Sequence, residues 1–170
     1  MIKIFGAKGN IQNIDSFLDR IINYRKEKGL IIQAFNADLI YGKKHLVSAF
    51  EHAIRAFENK TNSTNSLEME ILLYSSGERQ LKLAIPKMGV VTGDSRVAFI
   101  FNKDKVKQIS DKIIDEFLKY ISLKRDDRVL EGNADTLKMF GIKKDEIQTV
   151  TKDKSGHLIL EKVAMVDIIK

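Results

Sequence analysis

Residues 68–91 read EMEILLYSSGERQLKLAIPKMGVV, and the predicted organisation of the chain starts from this stretch. Residues 68–74 are mostly apolar and follow a polar segment, a pattern that predicts a short buried strand. After Ser75-Ser76-Gly77, apolar positions recur at helical spacing and predict a helix that Gly89 ends. The predicted unit is therefore a strand, a tight turn and a helix, with Ser76 as the cap of that helix.

The start of such a helix would present unpaired backbone amides and the positive end of the helix dipole to an anion. Arg79 and Gln80 fall in the predicted first turn, where the dipole disfavours a cation. Two interpretations of Arg79 stay open: it contacts an anionic ligand, or it simply extends into solvent. This unit would allow one function in particular: a small enzyme or binding protein that holds a phosphorylated metabolite at Ser75-Ser76-Gly77.

The same stretch also resembles a known family. Residues 70–81, EILLYSSGERQL, with Ala84-Ile85 and Gly89 after them, are similar to the signature of the small kinase-binding subunit of the KEOPS (EKC) complex, the PRPK-binding protein (TPRKB) family, in its archaeal-like form. Three further segments match in the same order: 36–40 (NADLI), 45–53 (HLVSAFEHA) and 158–164 (LILEKVA). The resemblance covers nearly the whole chain.

The resemblance implies a non-catalytic accessory subunit of the machinery that adds threonylcarbamoyl to the adenine beside the anticodon of certain tRNAs. It implies two kinds of partner. One is a PRPK-like kinase or ATPase subunit and, through it, the threonylcarbamoyl-transferase subunit. The other is tRNA, held by its single-stranded 3′ CCA end. No cofactor, metal or membrane partner is expected.

The composition narrows the class of protein. At 170 residues, with 44% apolar and 31% charged residues, the chain is expected to form a single domain, 1–170, and disorder is excluded as the main state. The absence of a long apolar run and of a signal-like N-terminus predicts a cytoplasmic location. The lack of cysteine excludes disulfides and thiolate chemistry. A net charge of +6 suits a polyanionic partner, although a lysine-rich thermophile composition would account for part of it.

The pattern of elements predicts an α+β fold in which a small mixed or antiparallel sheet of about four short strands is covered by helices. The residues at 157–170 fit either a strand or a helix, and Ser155 as a cap favours the helix. The polar loop at 59–66 is expected to be mobile. The predicted strands are 2–5, 30–35, 68–74 and 97–101, and the other predicted helices are 14–28, 45–58, 104–122 (capped by Asp104), 133–140 and 144–150.

No catalytic set is apparent. A phosphate-binding loop of the Walker type is missing, and His45 and His52 lie seven residues apart, too far along a helix to bind one metal ion together. His52 is interpreted as structural or merely exposed. His45, next to Lys43 and Lys44, is the histidine with a possible ligand contact.

Basic and polar residues at two predicted helix starts could face one groove if those helices lie side by side. Tyr41 and Tyr74 flank them and could stack on unpaired bases, or could be ordinary core tyrosines. The predicted RNA-binding residues are Lys43, Lys44, His45, Tyr74, Ser75, Ser76, Gly77, Arg79 and Gln80.

The C-terminal run 158–169 is apolar on nearly every side. Such a segment is either enclosed in the core or leaves an exposed apolar patch, and exposed patches commonly mark partner sites. The patch is favoured because a chain terminus is rarely enclosed all round. The predicted partner-binding residues are Leu158, Met165, Ile168 and Ile169.

Overall fold

A four-stranded antiparallel sheet forms the centre of the protein in a computed structural model that describes residues 2–103 and 109–169. The strands are β1 (Ile2–Ile11), β2 (Ile31–Asn36), β3 (Gly93–Asn102) and β4 (Lys124–Arg125), in the order β2-β3-β1-β4. β1 and β3 pair along their full lengths, from Ile2 opposite Asn102 to Ile11 opposite Gly93. The predicted α+β class and the antiparallel four-stranded sheet are confirmed.

Helices cover both faces of the sheet. They are α1 (Ile14–Lys28), α2 (Lys43–Glu58), α3 (Leu67–Ser76), α4 (Leu81–Met88), α5 (Asp111–Ile121), α6 (Ala134–Phe140), α7 (Lys144–Gln148) and α8 (Ser155–Ile169). Short 3₁₀ turns at Ala37–Leu39, Asp127–Leu130 and Lys152–Lys154 join some of them. The predicted start of α5 at Asp104 lies outside the described residues.

β3 divides the interior into two cores. Val97, Phe99 and Phe101 point to the side covered by α1 and α5, whereas Ala98 and Ile100 point to the side covered by α2, α3, α6 and α8. All five of these side chains are fully buried, as the short, almost continuously apolar run predicts. The sheet therefore carries α1 and α5 on one face and most of the other helices on its second face.

Residues 68–74 form part of helix α3, so the predicted strand is wrong. The Ser66 side chain accepts a hydrogen bond from the Met69 amide at the start of α3, and Gly77 closes the helix in the left-handed region with φ of 67°. Residues 70–76 are all buried. A helix that is enclosed all round has no polar face to produce a 3.6-residue period, and a short buried helix therefore looks like a buried strand. The fourth strand is β4 instead.

The loop at 59–66 is fastened to α3 at its second half, contrary to the expectation of mobility. The carboxylate of Glu70 is fully buried and accepts hydrogen bonds from the backbone amides of Ser63, at 3.1 Å to each oxygen, and Thr64, at 2.9 Å. Two amides bonded to one buried carboxylate hold the loop against the helix.

β1 and β3 are longer than predicted, since they span 2–11 and 93–102, whereas the ends of α1 and α6 agree with the sequence patterns. Asn13 caps α1, Gly29 ends it, Asn133 caps α6 and Gly141 ends that helix. Residues 155–169 are helical, as predicted, and α8 begins at Ser155. Over 2–103 and 109–169, no helix has both the length and the apolar content needed to cross a membrane.

Candidate functional site

An open cleft of about 550 Å³ lies where α2 and α8 both begin. The cleft brings together residues from three segments that are far apart in sequence. They are Tyr41, Gly42, Lys43, Lys44, Glu131, Gly132, Asp153, Gly156, His157 and Leu160. Lys43 and Lys44 are exposed, so their ammonium groups can reach a ligand in the cleft.

The ring of Tyr41 packs between two glycines. A Cβ atom placed on Gly132 would lie 2.4 Å from the ring, and one placed on Gly156 would lie 2.9 Å from it. Contacts this short do not occur between real atoms, so both positions need glycine if the ring is to stay in place. A 2.8 Å hydrogen bond from the Gly42 amide to the Leu130 carbonyl fixes the same segment. Tyr41 therefore forms a wall of the cleft.

The groups of the cleft that favour an anion lie at the start of α2. Gly42 occupies the N-cap position and offers no side chain to the first amides of the helix, and no acidic residue follows in the first turn. These amides, the helix dipole and the two lysines together favour an anion. Glu131 and Asp153 also line the cleft, so the favourable region lies near α2 and does not extend over the whole surface.

His45 lies behind the cleft and is buried, so the predicted ligand contact is wrong. Its Nδ1 accepts a 3.3 Å hydrogen bond from the Tyr41 amide, and its Nε2 donates a 2.8 Å bond to the Ser75 carbonyl. Burial is the main cause that lowers the pKa of His45 to about 4, which leaves the ring neutral at physiological pH. The ring holds the backbone of Tyr41 in place.

Tyr74, Ser75 and Ser76 are also buried, so none of their side chains faces a groove as predicted. The Tyr74 hydroxyl donates to the Asp167 carboxylate in α8, and burial, followed by this bond, raises the pKa of Tyr74. The Ser75 and Ser76 hydroxyls donate to the carbonyls of Leu72, at 2.8 Å, and Leu73, at 2.7 Å. The cause is the helix at 67–76, which turns these residues inward.

The turn after α3 contains the remaining predicted RNA-binding residues. Gly77 ends α3 and lies against Lys162 of α8, while Gln80 takes the N-cap position of α4 that was predicted for Ser76. Arg79 is exposed and precedes the helix, so it does not lie in the first turn. Because the Ser-Ser-Gly segment ends a helix and does not open one, the predicted phosphate site at this segment is wrong.

The apolar run of the C-terminal helix α8 is partly enclosed in the core and partly exposed. Leu158, Ile159, Val163 and Val166 belong to the core, so Leu158 is not part of an exposed surface as predicted. Met165, Ile168 and Ile169 are 44%, 75% and 40% exposed. These three residues, called the α8 patch below, form an apolar surface on the outer side of the helix.

The sequence patterns did not predict several residues of the cleft and of the contact between Tyr74 and α8. Gly132 and Gly156 meet Tyr41 only through the fold, which also brings His157 to the cleft. A glycine that makes room for a distant ring looks like any other glycine in a sequence. Asp167 was missed as well. A signal for it existed, because an acidic residue near the end of a helix is electrostatically disfavoured and calls for a partner.

The fold and these two surfaces define a small α+β binding domain. The family model described as kinase binding protein CGI-121 matches residues 9–167. The chain is also 32% identical over 156 residues to the regulatory protein Cgi121 of Methanocaldococcus jannaschii, with 89% of this chain and 93% of that protein covered. The chain belongs to the CGI-121 family, and the resemblance stated from its sequence motifs is confirmed at the level of the family.

Proposed function

We propose that the protein is a non-catalytic, cytoplasmic accessory subunit of the KEOPS complex that binds a PRPK-like kinase subunit and tRNA. Membership in a family described as kinase-binding carries the proposal. In this role the protein does no chemistry of its own. It joins the kinase-like subunit, and through it the threonylcarbamoyl-transferase subunit, to the tRNA that is modified.

The α8 patch is the proposed contact with the kinase-like subunit. Met165, Ile168 and Ile169 are exposed next to a buried face of the same helix, so they are presented from a rigid support. Apolar side chains of this size contribute to association mainly through the area that they bury in the partner. The proposal therefore requires a complementary apolar surface on the kinase-like subunit.

The cleft is the proposed contact with tRNA. Lys43, Lys44 and the first backbone amides of α2 suit a phosphate group, and Tyr41 offers part of an aromatic ring beside them. A single-stranded end presents unpaired bases as well as phosphates to such a cleft, whereas a duplex keeps its bases paired. The 3′ CCA end is therefore the proposed part of the tRNA, and exposed Arg79 is a further phosphate contact in the proposal.

Separate titrations of the purified protein test the two partners. The first titrates the PRPK-like subunit in the absence of RNA, and the second compares full-length tRNA with tRNA that lacks the CCA end over a range of salt concentrations. We expect a complex with the kinase-like subunit that changes little with salt. For tRNA we expect binding that weakens steeply with salt and depends on the CCA end. Equal binding of both tRNAs would remove the single-stranded end from the proposal and leave the kinase contact unaffected.

A further inference from the structure

The last turn of α8 carries a carboxylate where helix electrostatics disfavour one. Asp167 lies two residues before the end of α8 at Ile169, near the negative end of the helix dipole. Among the described residues, that turn contains no basic side chain to offset the charge. Other elements contribute compensation for the Asp167 carboxylate.

Two hydrogen-bond donors on neighbouring helices supply it. The Tyr74 hydroxyl on α3 donates to Oδ1 of Asp167, and Nδ1 of His52 on α2 lies 2.6 Å from Oδ2. Because a carboxylate accepts hydrogen bonds, His52 must carry its proton on Nδ1 in this contact. The rings of His52 and Tyr74 also stack at 5.4 Å between centroids, with 29° between their planes. One carboxylate thus joins α8 to both α2 and α3.

Tyr74 and the carboxylate that accepts its hydrogen bond, Asp167, differ in their access to a partner. The Tyr74 side chain is fully buried, and burial together with its bond to Asp167 raises its pKa, so the hydroxyl remains a donor. The Asp167 side chain is 43% exposed. A protein partner can touch Asp167 but cannot reach the side chain of Tyr74. A change at Tyr74 can therefore affect partner binding only indirectly, whereas a change at Asp167 can also remove a direct contact with the partner.

Asp167 is placed to control the geometry of the α8 patch. Val166 before it is in the core, while Ile168 and Ile169 after it are exposed. The final turn of a helix leaves carbonyl groups unpaired and frays readily. Exposed side chains on a frayed turn must be ordered when a partner binds, at a cost in affinity that a fixed turn avoids.

We propose that Asp167 is a positioning residue for partner binding: held by Tyr74 and His52, it fixes the last turn of α8 and with it the orientation of Ile168 and Ile169. The partner half of this inference rests on the proposed function. The ordering of the turn does not, and it can be measured in the isolated protein.

The test uses Tyr74→Phe, Asp167→Asn and the double variant. Tyr74→Phe removes one hydroxyl and keeps the ring in the core. Ser75→Ala is the matched control, because it removes a buried hydroxyl from the next residue of α3 that bonds only within its own helix. Two quantities are measured for each variant: the amide exchange rates of residues 166–169 in the free protein, and the Kd for the PRPK-like subunit.

We expect Tyr74→Phe to exchange about fivefold faster at 166–169 and to bind the kinase-like subunit about fivefold more weakly, the size of one hydrogen bond. Asp167→Asn changes the acceptor of both donors and should lose at least as much. The double variant should show little further loss, and Ser75→Ala should match the parent protein in both measurements.

Three results would overturn the inference. Unchanged exchange in both single variants would mean that the turn is not held by this contact. Faster exchange with an unchanged Kd would mean that the order of the turn does not govern binding. Weaker binding in Asp167→Asn but not in Tyr74→Phe would make Asp167 a direct contact. If Ile168→Glu binds the kinase-like subunit normally, the proposed surface fails separately, and the partner half of the inference fails with it.

Discussion

Nε2 of His45 donates a 2.8 Å hydrogen bond to the carbonyl of Ser75, thirty residues further along the chain. This bond joins the start of α2 to the end of α3. Nδ1 of the same ring accepts the amide of Tyr41, so one neutral imidazole fixes the backbone beside the cleft. Both bonds use the neutral form of the ring, which connects the stability of the protein to pH.

Acidification is predicted to destabilise the protein through His45. Burial lowers the pKa of His45 from 6.5 to about 4 in the folded protein, so the unfolded chain binds a proton more readily and stability falls as the pH drops between these values. Between pH 7 and pH 5 the loss is about 2 kcal/mol. Urea unfolding at the two pH values measures it. The pKa values of Asp111 and Glu146 are lowered, so their contributions are lost only below the pKa of a free carboxyl group.

The variant His45→Gln provides the control for this effect. Gln cannot titrate in this range, and its side-chain amide can donate to the Ser75 carbonyl in place of Nε2. The variant should therefore be less stable at pH 7 and should lose less stability on going to pH 5. An equal loss in the parent and the variant would contradict the assignment of the pH dependence to His45.

Removal of the Glu70 carboxylate is predicted to release the loop at 59–66. Glu70→Ala leaves the amides of Ser63 and Thr64 without their acceptor, and we expect a loss of about 2–4 kcal/mol in the free energy of unfolding. Amide exchange at Ser63 and Thr64 should become faster. Glu58→Ala, an exposed carboxylate at the end of α2, serves as the control; it should change the free energy of unfolding by no more than about 0.5 kcal/mol and leave the exchange rates unaltered.

Because Tyr41 packs against Gly156, replacing this glycine with alanine is predicted to lower the free energy of unfolding instead of raising it. Alanine in place of glycine within a helix ordinarily stabilises a protein by about 0.5–1 kcal/mol. At Gly156 the new Cβ would lie 2.9 Å from the Tyr41 ring, so Gly156→Ala should destabilise the protein. In a Tyr41→Ala background the clash is gone, and the same change should stabilise it. Additive effects in this double-mutant cycle would show that the ring does not occupy this position.

Charge reversal at the cleft is predicted to weaken tRNA binding. Lys43→Glu with Lys44→Glu places two carboxylates at the start of α2, and the salt dependence of binding should fall by about one unit for each phosphate that the variant no longer binds. Lys112→Glu with Lys119→Glu makes the same change in net charge on exposed positions of α5, across the sheet. If both pairs weaken binding alike, the effect comes from net charge and not from the cleft.

The sequence predicted those parts of the fold in which one periodicity dominates. α1 and α2 have a clear apolar stripe, and β3 is a short apolar run between polar ends, so their type and position followed from the pattern. α3 failed because residues 70–76 are buried on all sides and leave no stripe. As a result, residues 68–74 were predicted as a strand of the sheet in place of β4, and the Ser-Ser-Gly turn was predicted before a helix instead of at the end of one.

The candidate sites were predictable only in part, for a different reason. Lys43 and Lys44 are exposed at a helix start, a local property that the sequence contains. The burial of His45 and Tyr74 depends on α6 and α8, whose residues lie far away in the chain: Phe140 packs against His45, and Asp167 bonds to Tyr74. Contacts between such distant segments have no signature in the local pattern of one sequence.

The proposed contact between the α8 patch and the PRPK-like subunit is tested by the Kd for that subunit, measured for Ile168→Glu against Leu18→Glu. Ile168 belongs to the α8 patch, whereas Leu18 is an exposed apolar residue of α1 on the opposite face of the sheet. We predict that Ile168→Glu weakens binding by at least about 30-fold while its melting temperature stays near that of the parent protein. Leu18→Glu should bind normally. Normal binding by a folded Ile168→Glu variant would contradict the proposed contact.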